Sequence, residues 1–332
     1  MEEFMAKEVF SEEETQPFNK KVLKKEIGRT GWGLILYMLI NLIIVSVDMM
    51  YQIIILSREN IAVEPSEEQI LALSESAVGM IVGVLVGVLF LWLFMGKRVD
   101  TRELFSSNRS MNGKSLLGIV SVFMFVQIVF SGVTGLMEAG LNLFGCSAMD
   151  SIEAASGSSK TISMFLYVSF VGPIVEELVY RGFVLQPLKK YGNMFAIVVS
   201  SFLFGVMHGN IVQIPFAFFV GLVLAYVAQE YSLKWAMVVH IINNFVFVEL
   251  VGLIGKLFGE TAEIVISGVL IWGLAIVGAV ILWKKRKNIL DYVKEHKTDK
   301  SLYFAVFTSA SIVIFTLGCI MIAISGIMKI TL

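Results

Sequence analysis

This chain has little charge for its length. Only 16% of its 332 residues are Asp, Glu, Lys or Arg, against about a quarter in an ordinary soluble domain. With 57% apolar or aromatic residues and a mean hydropathy of +0.80, a water-soluble globule is excluded. Neither sign of charge is in surplus: 26 basic against 27 acidic residues leave a net charge of -1, which excludes the basic footprint of a nucleic-acid partner. The only cysteines, Cys146 and Cys319, match no metal or redox spacing and read as packing residues. Five prolines among long apolar runs exclude a disordered or linker-type chain. No HExxH motif is present, nor any internal repeat of the inverted-repeat transporter kind.

What is present is a series of apolar runs long enough to cross hydrocarbon, which takes about 20 residues. Runs 31–56, 77–96, 116–145, 263–283 and 302–328 qualify, and the long apolar region 161–257 divides by its charges and turns into 161–188, 192–208, 211–229 and 235–257. The predicted fold is therefore all-α, a polytopic membrane helical bundle of about nine spans, or eight if the last does not cross, with the amino terminus cytoplasmic. That orientation puts 22 of the 26 Lys and Arg inside and only Arg58, Lys160, Lys256 and Lys329 outside, as the positive-inside bias requires. The organisation expected is a cytoplasmic polar segment 1–30, amino-terminal helices 31–160, a helical core 161–257, and carboxy-terminal helices 258–332. Within the last, the basic segment 284–300 is expected on anionic lipid head groups. Residues 1–30 are too polar for a cleavable signal peptide, so the first span reads as a retained anchor, and 57–76 read as an exposed outer loop.

Ionisable groups inside a span cost several kcal/mol unless paired or hydrated, so their placement is informative. Asp48 and Glu138 stand alone near span ends and read as structural. The main concentration lies between 173 and 244. In Gly172–Gly182, Glu177 and Arg181 are an i, i+4 pair on one helix face, whereas Glu176 lies 140° from Arg181 and has no cation at pairing distance, as a general base would need; a purely structural salt-bridge cluster is the competing reading. Pro173 is expected to kink the helix and free backbone carbonyls. Phe204 and His208 share a face, as do His240 and Asn244. If the segments flanking Gly192 form a hairpin, Glu176 and His208, each 16 residues from that turn, face each other. His240 is only about 9 Å from Lys234 along its helix and His208 about 24 Å from the turn, so the hairpin is expected to project beyond the bilayer, with the site opening to the cytoplasm. A buried carboxylate with imidazoles and an amide suits activation of water and oxyanion stabilisation, and Glu176, His208 and His240 could instead be three zinc ligands.

Glu176-Glu177-Leu178-Val179-Tyr180-Arg181, then Phe204 to His208, then His240 to Asn244 resemble the EExxxR, FxxxH and HxxxN signature of the CAAX protease and bacteriocin-processing (Abi) family of intramembrane endopeptidases. The resemblance covers roughly residues 161–250. It implies a membrane protease in which Glu176 activates water while His208, His240 and Asn244 position it or stabilise the oxyanion, with Glu177, Arg181 and Phe204 as structural support. It further implies no metal cofactor, zinc at Glu176, His208 and His240 being the other view. A peptide or protein substrate, lipid-modified in some relatives, contact with membrane lipid, and a prokaryotic cell membrane are also implied. Two other classes remain open on the same residues: a non-catalytic binding or immunity protein, and a transporter.

Overall fold

The computed structural model describes residues 20–59, 76–107, 109–148, 159 and 161–329. The expectations for residues 1–19 and for nearly all of 57–76 lie outside the described residues. Each predicted apolar segment is helical: α1 (Lys20–Glu59), α2 (Val78–Met95), a short α3 (Thr101–Phe105), α4 (Gly113–Leu143), α5 (Ile162–Lys189), α6 (Asn193–Met207), α7 (Gln213–Glu230), α8 (Leu233–Phe258), α9 (Glu260–Glu295), α10 (Lys300–Phe307) and α11 (Ala310–Ser325). One pair of two-residue antiparallel strands, Cys146–Ser147 (β1) and Met328–Lys329 (β2), joins the end of α4 to the end of α11.

Seven of these helices (α1, α2, α4, α5, α7, α8 and α9) are long and apolar enough to cross a membrane, and α10 with α11 makes an eighth if the pair is one span bent by 65°. Among the described residues the larger figure meets the lower end of the expected eight to nine spans. α6 is apolar but has only 15 residues, about 22 Å at 1.5 Å per residue, short of the roughly 30 Å layer.

Several helices begin where a short polar side chain can take the free N–H groups of a first turn. Asp100 accepts from Arg102 and Glu103, Asn112 from Ser115, Thr161 from Met164, and Asp299 from Ser301. Close packing is set by small residues. Gly79, Gly83 and Gly87 of α2 lie against α1, where a Cβ would come within 2.9 Å of Asp48, Asn41 and Tyr37, the every-fourth-residue pattern that lets membrane helices approach. α4 packs on α9 and α6 on α7. Buried side chains concentrate on α5 and α6, among them Val179, Val184, Phe195 and Leu203, while the outer faces of α1 and α9 leave Leu42, Val47, Val269 and Trp272 exposed.

The two isolated acids are satisfied locally. Asp48 accepts from Gln52 Nε2 at 2.6 Å, and Glu138 accepts from the Ser147 hydroxyl at 2.5 Å and the Ala148 N–H at 2.9 Å. Both cysteines are free thiols, Cys319 buried and Cys146 half-buried.

Candidate active site

α5 is not one regular helix. It is α-helical to Leu166, π over Tyr167–Val171, α over Gly172–Glu177, and π again over Leu178–Leu185. α8 changes register in the same way over Ile242–Leu250. Such π turns recur at functional sites because the extra residue per turn re-aims side chains. The first of them explains Pro173. The Gly172 N–H donates to the Tyr167 carbonyl five residues back. In that register the Val168 carbonyl would await residue 173, but a proline has no N–H to give. Asn244 Nδ2 donates to it instead, at 3.0 Å. The expected freed carbonyl is real, and a side chain from another helix takes it.

Within α5, Glu177 is 0% and Arg181 1% exposed. Arg181 Nε lies 3.2 Å from Glu177 Oε2, and its Nη2 donates to the Gly221 carbonyl at 3.1 Å. The regular α-helical angles used to separate Glu176 from Arg181 do not hold beyond residue 177, where the register becomes π, but the Glu177–Arg181 pairing survives. Glu177 does more than pair. Its Oε1 accepts from His240 Nδ1 at 3.0 Å, and His240 Nε2 lies 3.7 Å from Glu176 Oε2. The imidazole is therefore held between the two neighbouring carboxylates. Of these, Glu176 is the open one, its side chain 24% exposed against 0% for Glu177.

Phe204 is the hub. Its ring meets His208 edge-on at 4.8 Å, His240 at 6.1 Å and Tyr180 at 5.4 Å, and the Arg181 guanidinium sits 4.5 Å over its face. His208 caps the end of α6, where Gly209 (φ +57°) turns the chain towards α7. Its Nδ1 donates to the Phe204 carbonyl at 2.8 Å. Both rings are thus anchored through Nδ1–H, so a neutral imidazole at either position presents Nε2 as an acceptor.

Asn244 stands beside this group rather than within its hydrogen bonds. Its Oδ1 accepts from Asn243 Nδ2 at 2.9 Å, and among the described residues no hydrogen bond joins Asn244 or His208 to Glu176. Anchoring of Nδ1 by a carboxylate or carbonyl is also how metal-ligating histidines are oriented. Among the described residues no group of three or more His, Cys, Asp or Glu side chains is arranged to hold a metal ion. Sequence reasoning missed the Glu177–His240 bond, which joins residues 63 apart, and the place of Asn243; only the latter, adjacent to a motif residue, carried any signal.

Residues 158–246, which contain all three motifs, match the family model described as Type II CAAX prenyl endopeptidase Rce1-like. The Bacillus subtilis (strain 168) protein named "Putative membrane peptidase YdiL" is 24% identical over 160 residues, 47% of this chain and 64% of the relative. The chain thus covers less than two thirds of that relative's length. No solved structure matches the chain. The two matches support the CAAX protease and bacteriocin-processing family indicated by the motifs, and with the apolar helices they support an integral membrane protein; the relative is bacterial, which fits a prokaryotic origin.

Proposed function

We propose that the chain is an intramembrane endopeptidase that hydrolyses a peptide bond without a metal, with Glu176 as general base. The observation that carries this reading is the sandwich of His240 between a closed carboxylate, Glu177, and an open one, Glu176. A water bound there donates one hydrogen to Glu176 and the other to the Nε2 lone pair of His208. Its oxygen attacks the carbonyl carbon as Glu176 takes its proton. The carbonyl electrons move onto oxygen, where the Asn244 amide hydrogen not spent on Val168 can meet the developing charge. His240 Nε2, fixed as an acceptor by the Nδ1–H bond to Glu177, relays the proton from Glu176 to the departing nitrogen as the C–N bond breaks. Catalytic roles thus fall to Glu176, His208, His240 and Asn244, and positioning roles to Glu177, Arg181 and Phe204. The substrate is a peptide or protein reached within the membrane.

The test is Glu176→Gln, assayed with an internally quenched peptide library on purified protein in detergent. Cleavage should fall by roughly a hundredfold or more while the melting temperature stays that of the parent, and a chelator should leave the parent's rate unchanged. Full activity in the variant would overturn the base assignment. A chelated rate restored by zinc would overturn the metal-free chemistry.

A further inference from the structure

The π segment Ile242–Leu250 carries one more buried acid, for which the proposed chemistry has no use. Glu249 is 6% exposed in the middle of an apolar helix, where a carboxylate persists only if its charge is met by donors. Those donors come from one residue, Ser159, three positions before the start of α5. The Ser159 N–H donates to Glu249 Oε1 at 3.1 Å and to Oε2 at 3.3 Å, and the Ser159 hydroxyl also donates to Oε1. The Ser159 carbonyl in turn accepts from Lys256 Nζ, about two turns further along α8, at 3.2 Å. Every polar group of Ser159 is therefore held by α8.

Five residues before Glu249 stands Asn244, whose partner, the Val168 carbonyl, belongs to the same stretch of chain as Ser159. On a regular α-helix residues 244 and 249 diverge by about 140° and could not both face that stretch. A π turn, closed by i→i+5 bonds, brings them onto one face. Both contacts form in the π register that the segment adopts.

We propose that Glu249 is a positioning residue: by clamping Ser159 it holds the π register of 242–250 and so aims Asn243 and Asn244 at the site. The functional half of this statement rests on the endopeptidase reading and the role of Asn244 in it; the register half does not. Relaxation to an α register would rotate the two asparagines relative to His240, which lies before the π segment.

The experiment uses the full chain in detergent, with Glu249→Ala, Glu249→Gln, and Ser159→Ala as a milder variant should Glu249→Ala fail to fold. Hydrogen–deuterium exchange over 242–250 and steady-state kinetics with the quenched-peptide library are read together. Exchange across 242–250 should rise in Glu249→Ala, less in Glu249→Gln. The kcat should fall about tenfold or more, as misaimed groups do, with KM unchanged. In an Asn244→Ala background, Glu249→Ala should lower kcat no further, a non-additivity that general loosening of the fold would not produce. Unchanged exchange overturns the proposal whether or not the chain cleaves peptides. Raised exchange with unaltered kcat, or losses that multiply in the double variant, overturns the positioning role. An inactive parent would instead count against the endopeptidase reading, with the exchange data still deciding the register.

Discussion

Arg181 shows how much of the site turns on one buried charge. Its guanidinium meets the Glu177 carboxylate, the Gly221 carbonyl and the face of Phe204, all sealed from solvent. Arg181→Ala would leave Glu177 buried without its counter-ion, a change that costs about 3 to 5 kcal/mol. The variant should melt well below the parent in detergent, and equal melting temperatures would refute the structural role of the pair. Glu177→Gln is expected to act twice. Loss of the charge strands Arg181 and lowers stability, and a weaker acceptor for His240 Nδ1 lowers kcat, whereas Glu176→Gln should affect rate alone. At this scale the sequence was partly legible. Glu177 and Arg181 are one helical turn apart, so their pairing could be read from spacing. The bond from Glu177 to His240 joins two helices, and no local periodicity encodes it.

At the scale of elements, the site depends on α6 and α7 lying very close. A Cβ on Gly205 would stand 2.9 Å from the Ile214 carbonyl oxygen and 3.1 Å from Phe218, and one on Gly221 3.0 Å from the Phe204 ring. Gly205→Ala must therefore push the two helices apart, an overpacking cost of about 1 to 3 kcal/mol. Displaced Phe204 would carry His208 and Arg181 with it. The expected result is a lower melting temperature together with a lower kcat, and an unperturbed variant would mean that the approach is looser than the geometry states. The helical segments themselves could be read from apolar runs and charges, to within a few residues at most ends. The π turns could not, because each is a single-residue change of register with no compositional mark apart from Pro173. That is why angles calculated for ideal helices held for Glu177 and Arg181, within one turn, and lost meaning for partners further along.

At the scale of the whole molecule, the depth conflict between His208 and His240 bears on orientation. Their rings meet through Phe204 although α6 brings His208 15 residues from its start at Asn193 and α8 brings His240 only seven from Leu233. At about 1.5 Å per residue the turn at Gly192 must then lie some 12 Å further out than the α7–α8 turn, if the helices run roughly parallel. A hairpin end that projects beyond the membrane, as the sequence leads one to expect, requires this offset. Its residues are dressed for water: Lys190 bonds Glu26 at 2.5 Å, Lys189 bonds Glu103 at 3.1 Å, and the Lys190 side chain is 56% exposed. Since Lys and Arg gather on the cytoplasmic side, this end is expected inside, and the site, nearer to it along α8, opens the same way. With Cys146 and Cys319 replaced, Lys190→Cys should react with a membrane-impermeant maleimide in inverted vesicles and not in intact cells. Labelling from outside alone would invert the topology, place the basic run 284–300 on the outer surface, and require the substrate to arrive from the opposite side of the membrane.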